Sequence, residues 1–245
     1  MLFNKNKQTL LNSFMKKLFA LLLLPSIAFA GKIGENYVGI GTFNNTYSAD
    51  IRTSPNVGSW DAEWDGWGFT LGGNLNLKSL DSSSWGADIS FAYTQIDLEP
   101  NSEAVDYLTT AGSTTPNDDL ESSSFGINLR PYTKLGDGLI FASLGFGRSE
   151  SDDVKESGLS LGAGYELSID KISLRPQITH VSLDEPIGDQ TSFGLIANYE
   201  LSDKINLILG YRHTKAEDIN LEVSGVDVKI DQSANTFDIG ISYEF

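Results

Sequence analysis

The sequence predicts an all-β fold, a closed antiparallel barrel of ten strands, with eight as the alternative count. Three observations predict it. The last ten residues, Thr236 to Phe245, alternate strictly: Phe237, Ile239, Ile241, Tyr243 and Phe245 against Thr236, Asp238, Gly240, Ser242 and Glu244. Side chains of a strand point to opposite faces with period two, so one face is apolar and the other polar or very small. Segments of this kind recur along the chain, and the connections between them alternate between long and short. A soluble sandwich has no reason for that parity, whereas a barrel crossing a membrane has one rim of long loops and one of short turns. The apolar face then meets lipid and the small and polar face lines the lumen, which makes this a transmembrane barrel.

Ahead of the barrel, residues 1–30 read as a signal peptide. Lys16-Lys17 precede the apolar run Leu18 to Leu24, followed by Pro25 and the small-residue pattern Ala28-Phe29-Ala30. Basic, apolar and A-x-A segments in that order mark an export signal cleaved near Ala30. The run falls well short of the roughly 20 residues of a spanning helix. Met15 would be a natural start, so residues 1–14 read either as an extended leader or as lying ahead of the true start. Residues 31–245 are then one barrel domain.

Composition narrows the function classes. Cysteine is absent, so a disulfide framework and thiolate chemistry are excluded. Four of the 17 Lys and Arg and none of the 33 acids lie in residues 1–30, which leaves residues 31–245 a formal charge of −20. Nucleic-acid phosphates call for the opposite sign. Mean hydropathy is only −0.16, which suits a barrel, because its strands give only alternate positions to lipid.

Taken in order, Asn36–Phe43 is a short first strand with Val38, Ile40 and Thr42 on one face. Residues 44–65 are polar, carry Trp60 and Trp64, and read as a long loop. Trp67–Leu77 alternates again, and a turn near Leu80–Ser83 leads to Trp85–Tyr93. Residues 98–120 read as an acidic loop. Phe125–Arg130 descends to a turn at Gly136-Asp137-Gly138, and Ile140–Phe146 rises from it. Leu159–Leu167 and Ile172–Ile178 flank the Asp170-Lys171 turn. Phe193–Leu201 and Ile205–Arg212 flank the turn at Ser202–Lys204. The connection at 215–233 is the third long one, and alternation around Ser224-Gly225 inside it predicts a hairpin standing above the barrel. Trp67, Trp85, Tyr93, Tyr165, Tyr199, Tyr211 and Tyr243 sit at segment ends, as the aromatic girdles of a membrane barrel do. The glycine pairs Gly39/Gly41, Gly145/Gly147 and Gly162/Gly164 place both members on the lumen face, where small residues make room.

With these segments laid out, the chain resembles the small outer-membrane β-barrel proteins of Gram-negative bacteria, including the porin-like ones, from about Gly31 to Phe245. The local marks are Gly210-Tyr211-Arg212 followed by a long loop, and the terminal Ile239-Gly240-Ile241-Ser242-Tyr243-Glu244-Phe245. The resemblance implies residence in the outer membrane among lipid and lipopolysaccharide. It also implies insertion by the barrel-assembly machinery, with Tyr243 and Phe245 as the assembly signal. It specifies the barrel and leaves the task open.

Charged residues on the lumen face fall at comparable depth on neighbouring strands. Counted from the turns, Asp88 matches Arg130. Glu166 faces Arg175 with Glu200 one strand further on, and Arg212 matches Asp238. A small barrel's interior is nearly filled by side chains, and buried charges must be paired. These seven residues are therefore expected to close the lumen, or to leave a narrow channel for small solutes. His180-Val181-Ser182 resembles the His-x-Ser of outer-membrane lipid A deacylases, but the orienting Glu about a dozen residues later is missing. The paired Asp and Asp–His spacing of the omptin proteases is also lacking, so no catalytic residues are assigned. The acidic stretches Glu99, Glu103, Asp118, Asp119 and Glu121, then Asp152-Asp153 and Glu217-Asp218, form a solvated surface that could attract divalent cations, without an EF-hand spacing. No cofactor is expected, and the expected role is structural or a surface interaction.

Overall fold

The computed structural model describes residues 31–54, 58–80, 84–110, 120–151, 154–183, 189–223 and 226–245. The signal peptide expected over residues 1–30 lies outside them, as do Asp118, Asp119, Asp152, Asp153 and the Ser224-Gly225 turn.

Eleven strands and one helix follow in order: β1 (Tyr37–Ser54), β2 (Ser59–Lys78), β3 (Gly86–Pro100), α1 (Ser102–Thr110), β4 (Leu120–Leu135), β5 (Gly138–Ser151), β6 (Val154–Ile169), β7 (Ile172–Leu183), β8 (Gln190–Ser202), β9 (Ile205–Ala216), β10 (Ile219–Val223) and β11 (Val226–Glu244). Every pairing is antiparallel, β1 to β9 each lie beside the next, β9 pairs with β11, and β11 returns to β1, opposing Ile241 to Ile40 and Tyr243 to Val38. Ten strands therefore close the barrel, and β10 is an additional short strand on β11 that opposes Val223 to Val226. The hairpin read from the alternation at 219–230 is present. Tight turns at Gly136 (φ 61°) and Asp170 (φ 53°) adopt the left-handed conformation that such reversals require.

The outward face of the barrel's lower half is apolar. Ile40 on β1, Leu71 and Leu75 on β2, Leu129 on β4, Leu144 on β5, Leu161 on β6, Ile178 on β7, Leu195 on β8, Leu209 on β9 and Ile239 on β11 are all exposed. Among the described residues no helix is long and apolar enough to cross a membrane, so the crossing falls to this belt of strands.

Three of the loop expectations are corrected. Residues 44–54 and 59–65 are the upper halves of β1 and β2, which run 18 and 20 residues. Residues 98–120 hold the end of β3 and helix α1, and residues 215–233 hold β10 and the start of β11. The reason is that alternation does not stop at the top of the belt; it changes sign. On β1 the apolar residues are outward at Val38 and Ile40 but inward at Tyr47, Ala49 and Ile51. On β2 they are inward at Trp60, Ala62 and Trp64 and outward at Trp67, Phe69 and Leu71. β3 changes between Tyr93 and Ile96, and β11 between Ala234 and Phe237. Above the belt the outward positions hold Ser48, Asp50, Asp61, Glu63, Asp227 and Lys229, as on a soluble sheet.

The inward side chains of that upper wall form a core with Phe43, Ile96, Leu98, Ile219, Val228 and Ile230, closed by Ala104 and Tyr107 of α1. Tyr47 and Trp64, opposed in register, meet at a tilt with ring centroids 5.3 Å apart, and Trp60 meets Tyr107 edge-on at 5.2 Å. Helix α1 is set in place by polar ties. Asn101 caps it, its Oδ1 accepting from the Ala104 N–H at 2.7 Å. Glu103 accepts from the Asp61 N–H at 2.9 Å, and Trp60 Nε1 donates to Asp106 at 2.9 Å.

Candidate functional site

The charged lumen residues gather at the short-turn end, and a segment of the chain's own backbone sits among them. Residues 31–36 precede β1 and fold into the opening. The Ile33 N–H donates to both oxygens of Glu166 at 3.1 and 3.4 Å, and the Gly34 N–H donates to Asp88 Oδ2 at 3.0 Å. Arg175 donates to the Gly31 carbonyl at 3.1 Å, and Asn74 donates to the Glu35 carbonyl at 2.8 Å. Ile33 packs on Tyr132 and Phe141 in a small core. Gly34 has φ +81°, and a Cβ there would lie 2.5 Å from the Tyr132 hydroxyl, so glycine is required on both counts.

Around this segment the ion pairs are buried. Arg130 grips Asp88 with two parallel hydrogen bonds, Nε to Oδ1 at 2.8 Å and Nη2 to Oδ2 at 2.9 Å, and reaches Asn74 at 3.2 Å. Two strands further round, Arg175 Nη1 meets Glu166 Oε2 at 3.3 Å. Direct opposition of Asp88 and Arg130 on β3 and β4 sets the first pair, and the Asp170 turn brings the second together. The bidentate geometry is the strong form of such a contact. Glu200, expected beside Glu166 and Arg175, instead takes Lys32 at 3.3 Å. Its strand carries it to the mouth, where the chain's entering segment supplies the nearer cation. This segment is what sequence reasoning missed: six residues without periodicity leave no signal in an alternation count.

Glu35 lies against Glu244 at the same mouth. Burial first, and then the Glu244 carboxyl, push the Glu35 carboxyl up to about 8. Glu35 Oε2 is buried without a hydrogen-bond donor. Against the cost of its own burial, the acids Glu35, Glu200 and Glu244 hold the Lys32 ammonium above its ordinary value.

Arg212 and Asp238 stand higher in the lumen, and here the expected match is offset. Arg212 opposes Thr236 and Asp238 opposes Gly210, so the two charges are diagonal neighbours. The register fixed by Tyr211 opposite Phe237 separates them by one inward position. Arg212 donates to Thr236 Oγ1 at 3.2 Å. Asp238 Oδ2 faces the space left by Gly210, where a Cβ would approach it to 2.8 Å. A small cavity beside them is lined by Gln177, Thr179, Ser192 and Gly194.

At the outer rim His180 and Ser182 both face outward, and both turn to Asp189. His180 Nε2 lies 3.1 Å from Asp189 Oδ2, while Ser182 Oγ and the Leu183 N–H donate to Oδ1 at 3.1 and 3.3 Å. Over a slight burial penalty, these donors hold the Asp189 carboxyl below its ordinary value. The serine proton points to a carboxylate and not to the imidazole, so the arrangement ties together the two strand ends of the β7–β8 connection. His213 is tied to Asn235 at 2.9 Å. Among the described residues no three His, Asp or Glu side chains group to hold a metal ion. Asp218 pairs with Lys229 at 2.6 Å. At the chain's end Tyr243 and Phe245 are outward and exposed.

The model of the family described as outer membrane protein beta-barrel domain matches residues 18–245. Among solved structures, the chain is similar to the outer membrane protease OmpT of Escherichia coli, at 9% identity over 89% of this chain and 100% of that one, TM-score 0.51. It is likewise similar to an outer membrane channel of Pseudomonas putida F1, at 10% identity over 90% of this chain and 99% of that one, TM-score 0.51. Among curated proteins none matches. A protease and a channel on one fold leave the task to be argued from the site.

Proposed function

The chain belongs to the outer membrane protein beta-barrel domain family, and from that premise we propose that it is a closed-lumen barrel of the outer membrane whose task lies at its outer surface. The observation that supports this reading is side-chain and backbone packing near each end of the lumen. At the periplasmic end residues 31–36 sit in a frame of buried ion pairs. At the outer end the inward side chains of β1, β2, β3 and β11 pack into a core with α1. A wall of strands carried beyond the lipid, held by its own core and acidic on its outer face, is a platform for contact with the surroundings. Outer-membrane lipid and lipopolysaccharide would surround the belt, and the barrel-assembly machinery would read the end at Tyr243 and Phe245. Divalent cations would bridge the acidic rim to lipid phosphates.

The test is conductance of the folded chain in planar bilayers. A closed lumen gives no steady current, and a wide, permanently open pore overturns the reading. A second reading, slow passage of small solutes, is favoured by the glycine-lined space beside Asp238. It calls for a small conductance that changes with Asp238→Asn. We propose no enzymatic role, since the Ser182 hydroxyl is committed to Asp189. A change in lipid A mass on expression, abolished by Ser182→Ala, would reverse that.

A further inference from the structure

The periplasmic mouth holds more acids than bases. Glu35, Glu166, Glu200, Glu244 and Asp88 face Lys32, Arg130 and Arg175. Each base is matched: Lys32 with Glu200, Arg130 with Asp88 and Arg175 with Glu166. Glu35 and Glu244 are left over, and they face each other. From β9 the Asn206 amide donates to Glu244 Oε1. No such donor reaches Glu35 Oε2, which is buried. Two carboxylates in contact repel, whereas a carboxylic acid beside a carboxylate makes a strong hydrogen bond. The contact needs one proton, and it adds to the backbone hydrogen bonds that hold the segment at Glu166 and Asp88.

We propose that residues 31–36 are a proton-latched stopper, docked in the mouth while Glu35 and Glu244 share a proton and released as that proton passes to solvent. The released segment would exchange the buried carboxyl contact for hydration of two separate carboxylates. Its hinge is the start of β1 at Tyr37, since the strand itself is held on both sides by β2 and β11. The direction of the Glu35 shift agrees. A carboxyl whose value is raised from 4.5 to about 8 when docked stabilises docking fully below about pH 4.5 and loses that contribution as pH climbs to about 8. The latch rests on the closed-lumen reading for its consequence, the opening of one end.

Amide hydrogen exchange in the full chain, folded into phosphatidylcholine vesicles, tests it directly. The Ile33 and Gly34 amides report docking because they donate to Glu166 and Asp88. Their protection, corrected for intrinsic exchange, should fall by up to about tenfold per pH unit between about 4.5 and 8 and level off above, while the Ala104 amide in α1 does not follow. In Glu35→Gln the side-chain amide donates to Glu244 at every pH, so protection should be pH-independent. The same slope in Glu35→Gln as in the parent chain, or unbroken protection of the parent to pH 9, overturns the proposal. If Glu35→Gln fails to dock at any pH, Glu244→Gln decides: flat, retained protection supports the latch and an unchanged slope overturns it. A barrel conducting at all pH values would defeat the closed-lumen reading while leaving this exchange result intact.

Discussion

Four strands of this barrel live in two solvents, and the same period-two alternation serves both with opposite sign. In the belt Ile40, Leu71 and Ile239 face lipid while Asn74, Asp88 and Ser242 are buried within. Some ten residues higher on the same strands Tyr47, Trp64 and Ile230 are buried within, while Asp50, Glu63 and Lys229 are outside. The lower half buries polarity because its exterior is apolar, so each interior charge needs a partner. The upper half buries apolar surface because its exterior is water, and it needs a core and a helix to complete it. The two interiors are held by different forces, and substitutions should separate them.

The largest effects are expected inside each half. Arg130→Ala strips the partner from Asp88 in the belt and should destabilise the folded barrel by about 3–5 kcal/mol, read by denaturant unfolding in vesicles. Trp64→Ala opens the upper core and should cost about 3–5 kcal/mol in the same measurement, whereas Trp67→Ala, three residues on and facing outward, should cost clearly less. Equal losses at the two tryptophans would erase the distinction between the halves. A charge on the lipid face, Leu71→Arg, should cost about 2–4 kcal/mol, while the converse change above the belt, Asp50→Ile, should cost almost nothing. The smallest effect is expected at the helix cap: Asn101→Ala should weaken α1 by about 1 kcal/mol, seen as faster exchange of the Ala104 amide with the belt unaffected.

Much of the belt is legible in the sequence. Wherever one face meets lipid throughout, as in Phe193–Leu201 or Ile205–Arg212, alternation alone locates the strand and its turn. The ion partners of Asp88 and Glu166 follow from counting inward positions away from those turns. The upper wall reads as loop for one reason: its alternation is intact but its phase is shifted. Trp60, Ala62 and Trp64 occupy even positions, and Trp67, Phe69 and Leu71 occupy odd ones. A reading that equates apolar with outward discards the first set. Helix α1 is not legible at 98–120, because nine residues make too short a period to stand out. Lys32 and Asp189 belong to segments without alternation, so only the fold reveals that they reach Glu200 and His180.

Because the chain has no cysteine, one labelling experiment on β1 tests the change of sign most directly. Single cysteines at positions 46 to 51, exposed to a water-soluble thiol reagent on the folded barrel, should react at Thr46→Cys, Ser48→Cys and Asp50→Cys. They should be silent at Tyr47→Cys, Ala49→Cys and Ile51→Cys. Uniform labelling of all six would mean that residues 44–54 form a loop above the barrel and that the upper wall does not exist.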